Sequence, residues 1–323
     1  MRRLGCLVLA VALLGLAVVG ATLVYGWMGS GPAEQDTEFR VSPGASLKSA
    51  ASDLEEAGLI RSADMFYARV RLFSGSPVVK AGEYLIPKGA SNRQIVSILT
   101  EGVGINRFIT IPEGMPSIMV QERLMATDLL TGNVDAPAEG SVLPDTYAYD
   151  KGEPRADVLA RMQQAMTKAL NEAWAKRSKK TVAKTKQEAL TLASIVEKET
   201  SIPAERPTVA GVYSNRLRVG MMLQADPTII YPITKGKPLG RRIRKSEIDA
   251  VNEYNTYAMA GLPKGPIANP SLSSIEAVLH PAETKALYFV ADGQGGHIFA
   301  DTLEQHNENV RKWFAIRRER GEM

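Results

Sequence analysis

Cysteine is nearly missing: Cys6 is the only thiol in 323 residues, and it lies near the start of a long apolar stretch. Its absence elsewhere excludes disulfide staples, thiolate zinc sites and a cysteine nucleophile from the rest of the chain. A lipid-modified cysteine is excluded too, because no apolar region precedes Leu4-Gly5-Cys6, so Cys6 reads as a small residue buried in a membrane. Histidine is scarce, and His280, His297 and His306 stand at spacings that no standard metal motif uses. Structural roles are expected for His280, at a helix end, and His306, inside a helix, and no metal. The absence of a G-x-S-x-G elbow removes the commonest serine hydrolase arrangement. The glycine-rich Gly293-Gln294-Gly295-Gly296 joins two strand-like segments and opens no helix, so it reads as a hairpin turn and not as a phosphate cradle. Charge of one sign is not in large excess either, since 39 Lys and Arg face 35 Asp and Glu for a net +4. The two basic runs, 176–186 and 241–245, read as solvated faces or as contacts to anionic headgroups or cell-wall carboxylates, and nucleic acid is not expected as a partner.

What the sequence does have is one long hydrophobic run. Leu4 to Ala33 contains no charged residue, and Leu4 to Trp27 is almost unbroken Leu, Val, Ala and Gly. That exceeds the ~20 apolar residues a helix needs to cross a bilayer, and it is too long for the ~7–15 residue core of a cleavable signal peptide. An uncleaved anchor is therefore expected. Arg2 and Arg3 precede it, the next basic residue is Arg40, and Tyr25 and Trp27 close it where an interfacial aromatic belt would lie. The positive-inside rule then places the N-terminus in the cytoplasm and residues 30–323 outside the cytoplasmic (inner) membrane, as a single-pass protein.

The rest divides as follows: 1–3 a cytoplasmic tail, 4–28 the membrane helix, 29–38 a linker, 39–102 a small domain, and 103–323 a larger one with its core at 185–318. In the small domain Phe39-Arg40-Val41 alternates as a strand, Leu47 to Leu59 and Ala63 to Phe73 carry helical spacing, and 81–87 forms a second strand before a helix at 92–99. This strand-helix-helix-strand order resembles the LysM carbohydrate-binding fold. The larger domain opens with a strand at 107–111 and a loop at 139–147, and continues in an amphipathic helix over 155–175 whose stripe Leu159/Met162/Met166/Leu170 is core packing. Thr185-x-x-Glu188, Ser273-x-x-Glu276 and Thr302-x-x-Gln305 each predict a helix start, and Asp226-Pro227 predicts an N-cap followed by proline. Ala286 to Ala291 reads as a strand that turns through 292–296 into 297–299. The class is α+β.

Carboxylates are the chemistry that remains, and they converge on Leu192 to Thr200. On a helix Glu197 and Glu199 point roughly 160° apart, so they cannot flank one scissile bond as a pair. Glu199 continues the strip Leu192/Ile195/Val196, while Glu197 stacks over Leu190, Ala193 and Ser194. A carboxylate bordering an apolar strip is partly desolvated, which raises its pKa and suits a general acid. Helical geometry alone also allows both to be surface acids around Lys198.

The strings LASIVEKET, NRLRVGMMLQADPT, YNTY, GLPKGPIANP, HPA, YFVADGQGGHIF and HN, in this order from Leu192 to Asn307, resemble the endolytic murein transglycosylases of the MltG or YceG-like family. The resemblance implies a lytic transglycosylase that cleaves the bond from N-acetylmuramic acid to N-acetylglucosamine inside peptidoglycan strands, leaves 1,6-anhydro ends and so ends nascent strand elongation. It implies no cofactor, Glu199 as the catalytic residue, and Gln224, Asp226, Thr228, Asn255, Thr256 and Tyr257 around the cleft. Glycan-polymerising penicillin-binding proteins are the implied partners. Leu143-Pro-Asp-Thr-Tyr147 carries Leu and Tyr where relatives can have Trp. Two rival readings stand beside this one: a muramidase-type hydrolase with Asp226 or Glu205 as second carboxylate, and a non-catalytic cell-wall-binding scaffold.

Overall fold

The computed structural model describes residues 2–321, with side chains from residue 11 onward, so the reading of Cys6 as a membrane-buried side chain lies outside the described residues. The chain is mixed α+β and divides into two compact units, 1–107 and 108–323.

The first unit opens with helix α1 (Arg2–Met28). Its segment Val11–Met28 has a mean hydropathy of 2.0 and is almost entirely unburied, so it is long and apolar enough to cross a membrane. Strand β1 (Thr37–Val41), helices α2 (Leu47–Glu56) and α3 (Ala63–Ser74), strand β2 (Gly82–Ile86) and helix α4 (Asn92–Glu101) follow. The strands pair antiparallel with Phe39 opposite Tyr84. Ser46, Ser62 and Ser91 each cap a helix by accepting the N–H three residues on, which fixes where α2, α3 and α4 begin. Apolar residues from all five elements, among them Val41, Leu54, Phe66, Ile86 and Ile95, close the core. Trp27, at the end of α1, stacks on Phe73 with ring centroids 5.4 Å apart.

The second unit is mostly helical. Strand β3 (Arg107–Thr110) runs in from the boundary and pairs with β4 (Thr146–Tyr149), and α5 (Ser117–Met125) lies between them in sequence. After α6 (Arg155–Ala175) come α7 (Lys186–Glu199), α8 (Arg206–Arg218), α9 (Asp226–Thr234), the short α10 (Lys245–Ile248) and α11 (Leu272–Leu279). The hairpin β5 (Tyr288–Ala291) and β6 (His297–Ala300), with Ala291 opposite His297, leads to the final helix α12 (Leu303–Glu319).

Helix α7 is the centre of this unit. Every residue from Ala189 to Glu197 is buried, between α8 and α11, so the helix has no solvent face over those turns. That corrects the picture of one apolar strip beside a polar one. The start expected at Thr185 is found, with its box incomplete, and two other expected starts differ. Thr185 does accept the Glu188 N–H at 3.1 Å, but the Glu188 carboxylate takes the N–H of Lys184 and leaves the capping box half made. Asp226 is the first residue of α9 and not its cap, which is Ala225. Helix α11 is capped by Ser271 and not by Ser273. The box at Thr302 forms in full.

Candidate active site

Helix α7 ends at Glu199, where Thr200 leaves helical geometry and its hydroxyl bonds the Glu205 carboxylate at 3.0 Å. Glu205 also accepts the His297 N–H at 2.9 Å and faces the His297 Nδ1 at 2.8 Å. The end of α7 is thereby tied to the start of β6. Gly296 makes this approach possible, since a Cβ there would lie 2.7 Å from the Glu205 carboxylate. Burial by itself pushes the Glu205 carboxyl up, but its bonds to the His297 ring and backbone and to Thr200 outweigh this and hold it below the usual range.

Glu199 is in the opposite state. Its Oε1 is buried and, among the described residues, makes no hydrogen bond. Burial raises its pKa to about 7, the nearby charge of Asp226 adds to the rise, and the Tyr213 hydroxyl and the Arg216 guanidinium pull against it. Tyr213 is itself fully buried, and burial together with Glu199 keeps it protonated, so it can only donate toward that carboxyl. The backbone carbonyls of Leu287 and Leu223 hold Arg216 in place at 2.7 and 2.6 Å.

A cavity of about 400 Å³ opens on Glu199. Thr200 and Ser201 line it on one side, and the β5–β6 turn with His297, Trp313 and Arg320 on the other. Arg320 donates to the Gly293 carbonyl at 2.5 Å, which draws the end of α12 onto the turn. The glycine-rich turn is thus part of the site wall, and His297, read from sequence as the start of the second hairpin strand, both orders that turn and faces the cavity. Sequence reasoning missed Trp313, Arg320, Tyr213 and Arg216. Nothing local singles them out, because Tyr213 and Arg216 reach the site from α8, and Trp313 and Arg320 from α12 and its end.

Glu197 lies on the far side of the helix and forms an ion pair with Arg206 at 3.0 Å, with both side chains buried. Its other oxygen accepts the Ser271 N–H at 2.9 Å and the Ser271 hydroxyl at 2.6 Å. Arg206 also reaches Glu113 at 2.7 Å. Glu197 is therefore neither a surface acid nor a free one; it locks α7 to the starts of α8 and α11.

The residues expected around the cleft fall into two groups. Gln224 and Asp226 are exposed and Tyr257 is partly so, with the Tyr257 hydroxyl donating to Asp226 at 2.7 Å. Burial, that bond and the charge of Glu199 all raise the Tyr257 pKa, while Asp226 in turn raises Glu199, so the three groups share one electrostatic neighbourhood. Gln224 has a positive φ of 50°, a strained conformation for a non-glycine residue. Thr228, Asn255 and Thr256 are fully buried. The Asn255 amide donates to the Ile248 and Ala250 carbonyls at 2.8 and 2.7 Å and its oxygen accepts the Tyr257 N–H, while the two threonine hydroxyls bond each other at 2.8 Å. These three organise the loop that presents Tyr257. The Tyr147 hydroxyl is spent on the Leu143 carbonyl at 2.7 Å. Among the described residues no three His, Cys, Asp or Glu side chains are grouped to hold a metal ion.

The sequence profile of the YceG-like family matches residues 39–312. An endolytic murein transglycosylase of Bacillus subtilis (strain 168) is 29% identical over 94% of this chain and 93% of its own length. One from Streptococcus pneumoniae serotype 2 is 28% identical over 84% of this chain, which spans 57% of that longer protein. The crystal structure of a yceG-like protein from Listeria monocytogenes aligns with a TM-score of 0.53 and 25% identity, covering 85% of this chain and 99% of that one.

Proposed function

The chain belongs to the YceG-like family, and on that premise we propose that it is a lytic transglycosylase that cuts peptidoglycan glycan strands internally, with Glu199 as its acid and base. The observation that carries this reading is the state of Glu199: a carboxyl with a pKa of about 7 and one unpaired oxygen, opening on a cavity. An ordinary glycosidase uses two carboxylates. Here Glu197 is occupied by Arg206 and Ser271, and Glu205 by His297 and Thr200, so a mechanism with one carboxyl suits the site.

In that mechanism the protonated Glu199 gives its proton to the oxygen leaving muramyl C1. The bonding pair departs with that oxygen. Glu199, now a carboxylate, takes the proton from the C6 hydroxyl of the same sugar, and that oxygen closes on C1 to give a 1,6-anhydro ring. No water is consumed. The attack is intramolecular and gains the high effective molarity of a held nucleophile. In this reading Gln224, exposed, and Tyr257, half-buried, bond the sugar and its N-acetyl group. Asp226 favours a second reading, because it acts electrostatically on Glu199 and could serve as the other carboxylate of a hydrolase.

The first unit, with its strand-helix-helix-strand order and antiparallel strand pair, serves in this proposal as a LysM-like glycan-binding module at 39–102. Helix α1 anchors the chain in the cytoplasmic membrane with the N-terminus inside, and the second unit works on nascent strands beside penicillin-binding proteins. The test is Glu199→Gln in the full chain on uncrosslinked glycan. Cleavage should fall by at least ~10²–10⁴-fold, since one residue fills both proton-transfer roles, with the fold kept. A well-folded variant with near-normal turnover removes Glu199 from the mechanism.

A further inference from the structure

The glycan chemistry makes no use of an opening in the first unit, between the end of α1 and the start of α3. It holds about 540 Å³ and is walled on one side by α1 from Val18 to Gly26 and by Gly29 beyond it, and on the other by Arg61, Ser62, Met65 and Arg69. Arg69 has a buried Nε with no hydrogen-bond partner among the described residues. Its guanidinium lies directly over Gly26, where any Cβ would collide with it. Arg61 is exposed, and neither arginine is in an ion pair among the described residues. Of the acids beside this end of α3, Glu55 is engaged by the Ala63 N–H at 2.8 Å, and Asp64, in the first turn, is exposed.

These features share one chemistry. The shielded Nε–H leaves the terminal N–H groups of Arg69, which lines the opening, as the donors toward a ligand, and a phosphate oxygen is the acceptor that suits a guanidinium best. The second guanidinium and the N-terminal end of α3, a 12-residue helix capped by Ser62, favour the same negative charge. Val18 and Met65 supply apolar surface that a free anion would not use. One wall is the helix read as crossing the membrane, so the occupant arrives from the bilayer. We propose that this cavity binds the phosphate headgroup of an anionic phospholipid, held between Arg61 and Arg69. This rests on the anchor reading of α1.

The test is native mass spectrometry of the full chain in detergent micelles, titrated with phosphatidylglycerol or phosphatidylcholine of the same acyl chains. One phosphatidylglycerol should bind with preference over phosphatidylcholine, and the double variant Arg61→Gln/Arg69→Gln should bind it roughly 30-fold more weakly, the loss expected for two headgroup-facing charges. Gly26→Ala keeps both charges but forces the Arg69 guanidinium aside, and it should lose most of the preference with an unchanged melting curve. Equal binding of the two lipids, equal affinity in wild type and Arg variants, or displacement of the lipid by millimolar inorganic phosphate would each overturn the site. Alkaline carbonate extraction of membranes separates this from the anchor reading: release of the chain defeats the anchor, whereas a retained chain without lipid preference defeats only the site.

Discussion

Glu199 is held against its ordinary tendency to ionise, and that has a thermodynamic consequence. Its folded-state pKa of about 7 lies above the ordinary 4.5, so between those values the folded state keeps a proton that the unfolded state has lost. Stability contributed by this group is therefore full below ~4.5 and falls as pH rises to ~7, by a total of about 3 kcal/mol. Glu199→Gln removes the titration. The melting temperature of the variant relative to wild type should start near zero difference at acid pH and climb to a plateau above neutrality; a difference that stays flat with pH would mean the carboxyl titrates normally. In the proposed mechanism the same proton sets activity, because protonation of the leaving oxygen needs the acid form, so cleavage should decline as pH rises through ~7. Glu197 is the counterexample two residues away. Breaking a buried ion pair by removing one partner typically costs ~3–5 kcal/mol. Glu197→Gln should accordingly lower the melting temperature and leave the pH profile of residual activity in place, whereas a shifted profile at unchanged stability would give Glu197 a chemical role.

Between elements, the site is built by loops tied to α7. Asn255 spends its side chain on the Ile248 and Ala250 carbonyls and the Tyr257 N–H, so Asn255→Ala should destabilise the second unit by ~1–3 kcal/mol in denaturant unfolding and weaken substrate binding through the displaced Tyr257. Unchanged stability would show that the loop holds itself. Gln224→Gly, at a positive φ, should leave stability unchanged or slightly higher by the same measurement. How far such features could be read from sequence depends on how local their causes are. The span of α6 and the capping box at Thr302 follow from neighbours along the chain and were legible. The cap of α11 was not: Ser273 has the better local pattern, but Ser271 is fixed by Glu197, 74 residues earlier. Asp226 was read as a cap because its partner, the Tyr257 hydroxyl, is 31 residues away. The wall formed by Trp313 and Arg320 was invisible for the same reason, since only the folded hairpin brings α12 to Glu199. Glu199 was singled out by the resemblance to the family's motif, while helical geometry alone allowed it to be a surface acid; the groups that act on it, Tyr213 and Asp226, lie 14 and 27 residues further along the chain.

For the molecule as a whole, the account joins an apolar N-terminal helix to a small α+β unit and a larger one that holds the cavity. A reporter placed after Met323 should be active only if it works outside the cytoplasm, and recovery of a soluble chain lacking about the first 28 residues would replace the anchor with a cleaved signal. The first unit, read as a glycan-binding module, should retard the chain on insoluble peptidoglycan even when Glu199 is Gln. The central claim is the reaction itself, and the masses of its products test it most directly. Uncrosslinked glycan strands cut by the protein in water carrying heavy oxygen should give long oligomers early, ending in 1,6-anhydromuramyl residues that are one water lighter than reducing ends and carry no label. Reducing muramyl ends labelled with heavy oxygen would contradict the account and point to a bound nucleophilic water, with Asp226 as the second carboxylate of a hydrolase.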